Sequence, residues 1–367
     1  MLYWWLQSNQ PWGDRWELVS SGDSHVYLTA RTALATVSAF LLALAFGPYA
    51  IAWLKARFRE RIDSASARLN ELHASKNATP TMGGVFIVAA IIVAALLFGD
   101  LSSPYVQQAV AVVALYGLLG ACDDWVKIRT SRRGLTVRQK FLGQLLVGAG
   151  IVLWLWASRP GDPFRDAVIV PIGGFILPLG IVFLGWGVLV LVGASNGVNL
   201  TDGLDGLAGG CLVFAGAAFA TLSYLAGHHV MADYLAIPYQ PGAGELAVLF
   251  GAMVGATLGF LWFNCYPAQV FMGDAGSLPT GALLGYGALA IHQELLLALV
   301  GGVFVVETLS VIGQVGWFKL TGKRLIACSP LHNHFLFQGQ HEIKIVVRFW
   351  IGSALLALLA VASLKIR

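Results

Sequence analysis

Long apolar runs joined by short polar connections dominate the 367-residue chain. A helix crosses a hydrocarbon core in about 20 apolar residues. Ten stretches meet or approach that length: 28–54, 83–99, 104–122, 140–158, 173–194, 206–227, 246–263, 277–292, 295–317 and 345–364. The pattern predicts an all-α integral membrane protein, a bundle of ten transmembrane helices forming one domain over 28–367. Gln293 and Glu294 alone separate the eighth and ninth stretches, so these are expected as a tight hairpin. Residues 1–27 hold Trp4, Trp5, Trp12 and Trp16 with Asp14 and Glu17, which interrupt any apolar run. That pattern fits no signal peptide and predicts a periplasmic, interfacial segment ahead of the first span.

Composition strengthens this picture. Hydrophobic residues make up 57% of the chain and charged residues 11%, against about 25% charged in a soluble domain. Mean hydropathy is +0.73. The 43 glycines suit helices whose backbones approach closely. A net charge of +4 is small and is read by position; it does not point to nucleic acid. Six of the 23 basic residues lie in 55–82, six in 123–140 and five in 318–348. All three loops fall on one face of a ten-span arrangement, so that face is expected to be cytoplasmic and both termini periplasmic. The four cysteines, 122, 211, 265 and 328, have no metal or disulfide spacing.

The unusual polar residues gather on the same face. Asn196, Asn199, Asp202 and Asp205 recur every third residue in the loop expected at 194–205. On a helical or 3₁₀ path that spacing brings the four side chains together. Carboxylates so close to lipid are functional candidates, although a polar hinge with helix-capping Asp residues reads the same way. Asp123 and Asp124 close the third span, with Lys127 in reach of both. A salt-bridged helix end explains them; so do two jobs, one beside a cation and one as a base. Asp274, between Gly273 and Gly276, precedes an apolar helix. It is either an N-cap or an Asp that holds Mg²⁺ against phosphate at an anion-binding helix start. Phe271 can stack on a base or pack in the core. His332 and His334 stand at i and i+2, off a common helix face, which argues against zinc and for phosphate or substrate oxygen. Carboxylates interleaved with Lys76, Lys127 and Lys140 suit a divalent metal bridging a diphosphate. A site at the membrane surface implies one water-soluble and one lipid substrate.

At these motifs the chain resembles the phospho-N-acetylmuramoyl-pentapeptide transferases of the polyprenyl-phosphate N-acetylhexosamine-1-phosphate transferase superfamily. The resemblance spans nearly the whole chain and rests on 79–84, Asp123-Asp124 with Lys127, 196–208, 262–264, 271–278, 301–310 and 329–332. It implies ten spans in the bacterial inner (plasma) membrane. It also implies transfer of phospho-MurNAc-pentapeptide from its UDP carrier to undecaprenyl phosphate with Mg²⁺, giving lipid I and UMP, and frequent homodimers. Carried over, Asp274 and Asp202 are metal ligands, and Asp123, Asp124, Asp202, Asp274 and His332 are catalytic. Lys76, Thr81, Asp205, Asn264, Phe271 and Gln314 match the nucleoside side; Lys127 and Lys140 lie near the diphosphate. Asn196, Asn199 and His334 complete the substrate-binding set. The chain departs from the family's His-His-His-Phe/Tyr-Glu at Asn333 and Leu336, and from its Gly before Thr-Pro-Thr at Ala78. Asn333 cannot carry a positive charge, so the departures fall on the sugar-nucleotide end and leave the metal end intact.

Three other readings compete: a superfamily member that uses UDP-GlcNAc, an ion-coupled transporter, and a silent scaffold. A transporter is expected to set its carboxylates near the midplane in broken helices, whereas five Asp residues here fall at one surface.

Overall fold

The protein was analysed as a computed structural model that describes residues 28–57, 76, 79–129, 134–171 and 174–365. The expectations for 1–27, for Ala78 and for most of the 55–82 basic loop lie outside those residues. Each of the ten apolar stretches holds a helix. The first five helices are α1 (Leu28–Arg57), α2 (Gly84–Phe98), α3 (Pro104–Arg129), α4 (Val137–Ala157) and α5 (Val182–Thr201). Next come α6 (Leu207–Ala226), a short α7 (His229–Leu235), α8 (Leu246–Asn264) and α9 (Asp274–Ala290). The chain closes with α10 (Glu294–Val300), α11 (Gly302–Thr321), α12 (Leu331–Phe337) and α13 (Glu342–Ser363). Among the described residues, eight helices are long and apolar enough to cross a membrane; α2 is shorter.

Three local differences from the expected pattern matter. The fifth stretch opens as a hairpin strand, Ile176–Pro178 paired antiparallel with Ala167–Ile169, and its helix then runs on to Thr201. Asn196 and Asn199 therefore sit on the last turns of α5, not in a loop. The ninth stretch is divided at Gly301 into α10 and α11, since a glycine inside an apolar helix lowers the cost of a break. The turn before it holds His292 at φ +53.

Burial sorts the helices into centre and rim. Every residue of α9 is buried, and so are 15 of the 19 in α8. Helix α9 packs on α3 and α5, and α8 on α1 and α6. Close approach explains why α8 carries glycine at 251, 255 and 259: a Cβ at Gly255 would lie 1.9 Å from the Thr36 carbonyl of α1. The outer helices leave Leu34, Leu41, Leu146 and Leu358 exposed, as a lipid-facing surface requires.

Two buried ion-pair systems tie helix ends on one face. Arg31 at the start of α1 donates to Phe98 O at the end of α2 (2.9 Å) and pairs with Glu245 ahead of α8. Removing one partner of such a buried pair costs about 3–5 kcal/mol. Arg159, just past α4, donates to Ala290 O at the end of α9 (3.1 Å), and Asp162 contacts His292 at 2.8 Å. Burial works against the Asp162 carboxylate, but the His292 hydrogen bond and the Arg159 charge outweigh it and hold the group at about 2. The opposite helix ends meet on the other face, where residues 123–129 and 134–140 come together with 202–206, 265–273 and 322–341.

Candidate active site

The site begins with two short backbone pairings. Phe271 N donates to Pro80 O, Gly83 N to Phe271 O and Gly84 N to Met272 O, each at 2.8 Å. They lay residues 80–84 along 271–272 and deliver the start of α9 against the end of α3. Asp274 is the first residue of α9. Gly273 before it has φ +69, and a Cβ there would lie 2.6 Å from Asp124 Oδ2 and 2.9 Å from Thr81 Oγ1. Only glycine combines that backbone with that crowding. Thr81 is 1% exposed and its hydroxyl has no partner among the described residues.

Three carboxylates from two helices then come together. Asp123, Asp124 and Asp274 are all buried and each offers an oxygen within 4.8 Å of the others. Asp124 Oδ2 accepts from Ala275 N at 3.0 Å, one of the free amides at the start of α9. Asp123 Oδ1 accepts from Leu135 N at 2.8 Å, which ties residues 134–136, ahead of α4, to the site. Two lysines supply opposite charge. Lys127 Nζ reaches Asp123 at 2.8 Å, Asp274 at 2.9 Å and Asp124 at 3.2 Å. Lys140 Nζ, one turn into α4, reaches Asp274 at 2.6 Å and Asn199 Oδ1 at 3.4 Å. Three carboxylates against two ammonium groups leave one negative charge in a buried place, a surplus that an added cation removes.

The donor set fits a hard divalent ion. Octahedral Mg²⁺ with oxygens at about 2.0–2.1 Å sets neighbouring ligands ~2.9 Å apart and opposite ones ~4.2 Å apart. The three carboxylates offer oxygens within 4.8 Å of one another, slightly wider than that span, and none of the three ligands is a thiolate or imidazole. Asp123, Asp124 and Asp274 are thus the described carboxylates that can hold a metal. Asp202, expected as a second ligand, closes α5 as its C-cap and is outside this trio.

The 196–205 ladder does not act as one cluster. Asn196 exchanges hydrogen bonds with Gln144 of α4 at 2.8 and 3.3 Å. Asn199 donates to Asp274 Oδ1 at 2.6 Å and to Ser277 Oγ at 2.9 Å. Beyond Asp202 the chain leaves the helical path and turns through Gly206 at φ +78, so Asp205 faces elsewhere. Its carboxylate binds Lys76 Nζ at 2.6 Å and Ala268 N at 2.9 Å. Asn264 spans the same neighbourhood, accepting from Gly206 N at 3.0 Å and donating to Val270 O at 2.8 Å. Phe271 stays half-buried beside it.

His332 opens α12 and is 1% exposed. Its ring lies on Gly203, where a Cβ would meet Nε2 at 2.3 Å. Beneath it Glu307, fully buried on α11, accepts the His332 backbone N–H at 3.1 Å and stands 3.3 Å from Nδ1. Gln314 and His334 serve the connection between α11 and α12: Gln314 accepts from Leu325 N and Ile326 N, and His334 Nδ1 from Ala327 N. The two departures are also placed. Leu336 is 8% exposed within the apolar core, where a carboxylate would be buried, and Asn333 is 7% exposed with its Oδ1 unpartnered. Glu307 and Glu342 escaped sequence reasoning because each is a lone acid, the first inside an apolar stretch and the second in a polar connection; their partners are 25 residues or more away.

Known proteins are similar to this chain in sequence. Residues 106–292 match the model of glycosyl transferase family 4, and residues 76–88 match phospho-N-acetylmuramoyl-pentapeptide-transferase signature 1. The phospho-N-acetylmuramoyl-pentapeptide-transferase of Nitratidesulfovibrio vulgaris (strain DP4) is 48% identical over 345 residues, covering 93% of this chain and 94% of the relative. That of Citrifermentans bemidjiense is 47% identical over 343 residues, and that of Thermodesulfovibrio yellowstonii 46% over 345, with the same coverage. With such identity along nearly its whole length, and with the signature segment built into the wall of the carboxylate site, the chain belongs to the phospho-N-acetylmuramoyl-pentapeptide-transferase family.

Proposed function

We propose that the protein transfers phospho-MurNAc-pentapeptide from UDP-MurNAc-pentapeptide to undecaprenyl phosphate on the cytoplasmic face of the bacterial inner membrane, as a ten-span enzyme with Mg²⁺ at the carboxylate trio. The observation that carries this reading is the convergence of Asp123, Asp124 and Asp274 with Lys127 and Lys140 at one end of an apolar bundle. Phosphoryl transfer asks a protein mainly for positioning and charge neutralisation, and these five side chains supply both. In the reaction an oxygen of the lipid phosphate bonds to the sugar-bearing phosphorus. The bridging P–O bond of the diphosphate breaks, and UMP leaves with that oxygen.

When bound, Mg²⁺ neutralises the diphosphate and orients it. Asp274, held by Lys127, Lys140 and Asn199, would be its principal ligand with Asp123 and Asp124 beside it; Asp202 borders the site at the end of α5. Lys127 and Lys140 neutralise the developing charge on the leaving phosphate. One of Asp123 and Asp124 takes the proton of the lipid phosphate. His332 bonds a phosphate or sugar oxygen, while Lys76, Thr81, Asp205, Asn264 and Phe271 receive the uridine. The apolar helices around the trio bring the polyprenyl chain to the same depth as the metal.

The test is purified protein incubated with undecaprenyl phosphate, Mg²⁺ and either UDP-MurNAc-pentapeptide or UDP-GlcNAc, with the lipid product identified by mass. Lipid I and UMP from the muramoyl donor are expected. Product from UDP-GlcNAc alone would assign the chain another donor, and no product from either would remove the transferase reading.

A further inference from the structure

The first residue of the last helix joins the nucleotide end of the site. Glu342 is 9% exposed at the start of α13. Its Oε1 accepts from Lys76 Nζ at 2.5 Å and from Asp205 N at 2.8 Å. Lys76 is thereby clamped between two carboxylates, Asp205 at 2.6 Å and Glu342, with side chains 12%, 3% and 10% exposed. Through Asp205 the clamp reaches Ala268 N, and through Gly206 it reaches Asn264. One carboxylate from the far end of the chain thus sets the Lys76 ammonium, the 205–206 turn and the 264–268 connection relative to one another.

Charge gives the clamp a further consequence. Among the described residues Lys76 is outnumbered by two acids, so this end of the described site is negative, whereas Lys127 and Lys140 present ammonium groups at the metal end. A diphosphate is repelled from the first place and drawn to the second. An uncharged pyrimidine loses nothing beside Glu342 and gains one fixed donor, the N–H of the Lys76 ammonium that is left after Asp205 and Glu342 take the other two. The two ends therefore orient a ligand that is neutral at one extremity and doubly anionic at the other.

Resting on the proposed nucleotide reading, we infer that Glu342 is a positioning residue that locks Lys76 and Asp205 to receive the nucleoside end of the donor. It acts on nucleotide affinity and orientation, not on the chemical step. Losing one charge-assisted acceptor in a buried clamp weakens binding by about tenfold or more.

The experiment compares wild type with Glu342→Gln, full-length and purified, by titration with UMP and by steady-state kinetics. The UMP Kd and the KM for UDP-MurNAc-pentapeptide are expected to rise about tenfold. The KM for undecaprenyl phosphate and the Mg²⁺ dependence stay as in wild type, and kcat changes by less than about threefold. Unchanged UMP affinity and donor KM at an unchanged thermal midpoint would overturn the inference. So would a joint fall of kcat and thermal midpoint with donor KM unmoved, the mark of a purely structural role. Should Glu342→Gln not fold, Glu342→Asp keeps the charge at the helix start but draws the oxygens back from Lys76. The same rise in UMP Kd is expected of it, and wild-type affinity overturns the assignment. Wild-type protein that binds UMP yet forms no lipid product would remove the transferase reading while the titration still decides Glu342.

Discussion

Asn199 Nδ2 donates to Asp274 Oδ1 across 2.6 Å, and the two residues are 75 positions apart in the chain. The bond fixes the last turn of α5 to the first residue of α9, and it aims one Asp274 oxygen while Lys127 and Lys140 hold the other. Asn199→Asp replaces that donor with a carboxylate at almost no change in shape. Leaving the buried acceptor opposed costs about 1–3 kcal/mol. A lower thermal midpoint and a higher Mg²⁺ requirement for lipid I formation are expected; a variant with wild-type values in both would show that the bond does not position Asp274.

Asp274→Asn tests the metal assignment itself. The substitution keeps volume and removes the negative charge that faces both lysines. Mg²⁺-dependent UMP release is expected to fall by about a thousandfold, the scale of losing a principal charge-stabilising group. Turnover near wild type would move the metal away from this residue.

Gly273→Ala adds one methyl group where φ is +69 and Asp124 Oδ2 lies 2.6 Å from the new atom. That backbone, with ψ −179 as well as positive φ, is essentially glycine's alone and costs about 1–3 kcal/mol for a residue with a side chain. The variant is expected to melt several degrees lower and to lose most of its activity, because either the start of α9 or Asp124 must shift. Thermal unfolding and initial rates measured on one preparation check it.

The two departures in α12 predict opposite outcomes. Asn333→His restores the family's residue at a position whose Oδ1 has no partner, and activity is expected to hold or rise. Leu336→Glu also restores the family's residue but places a carboxylate in the apolar core, so stability is expected to drop. A large loss of activity in Asn333→His, or a stable Leu336→Glu, would show this loop to be read wrongly.

Gly161, beyond α4, and Gly322, beyond α11, lie at opposite ends of the bundle. Single cysteines introduced at the two positions are expected to label from opposite sides of sealed inverted vesicles. Position 322 should face the side where UDP substrates are added. Labelling of both from one side would overturn the sidedness of the site.

How much of this was legible in the linear chain differs from element to element. Apolar length predicted a helix in every one of the ten stretches, because a segment in lipid must satisfy its own backbone hydrogen bonds, and only the helix does so locally. The distribution of Lys and Arg put the basic loops on one face; of these, the described helix ends around Lys127, Lys140 and Lys319 lie at the end of the bundle that carries the carboxylate trio. The Asp123–Asp124–Lys127 group was also readable, since its spacing is that of one helix turn.

Folding in three dimensions decided the rest. Periodicity joined Asn196, Asn199, Asp202 and Asp205 into one ladder, yet Asn196 pairs with Gln144, Asn199 with Asp274, and Asp205 with Lys76 and Ala268, from four other segments. The path bends after Asp202, and a bend in a glycine-rich turn obeys packing rather than a repeat. Glu307 and Glu342 look incidental in sequence because a single acid carries no pattern. Their roles exist only where α11 and α13 cross the ends of other helices. Local rules choose the helices, since backbone bonds are made within about four residues. Which carboxylates share a site is set by contacts across scores of residues, and those depend on how the helices pack.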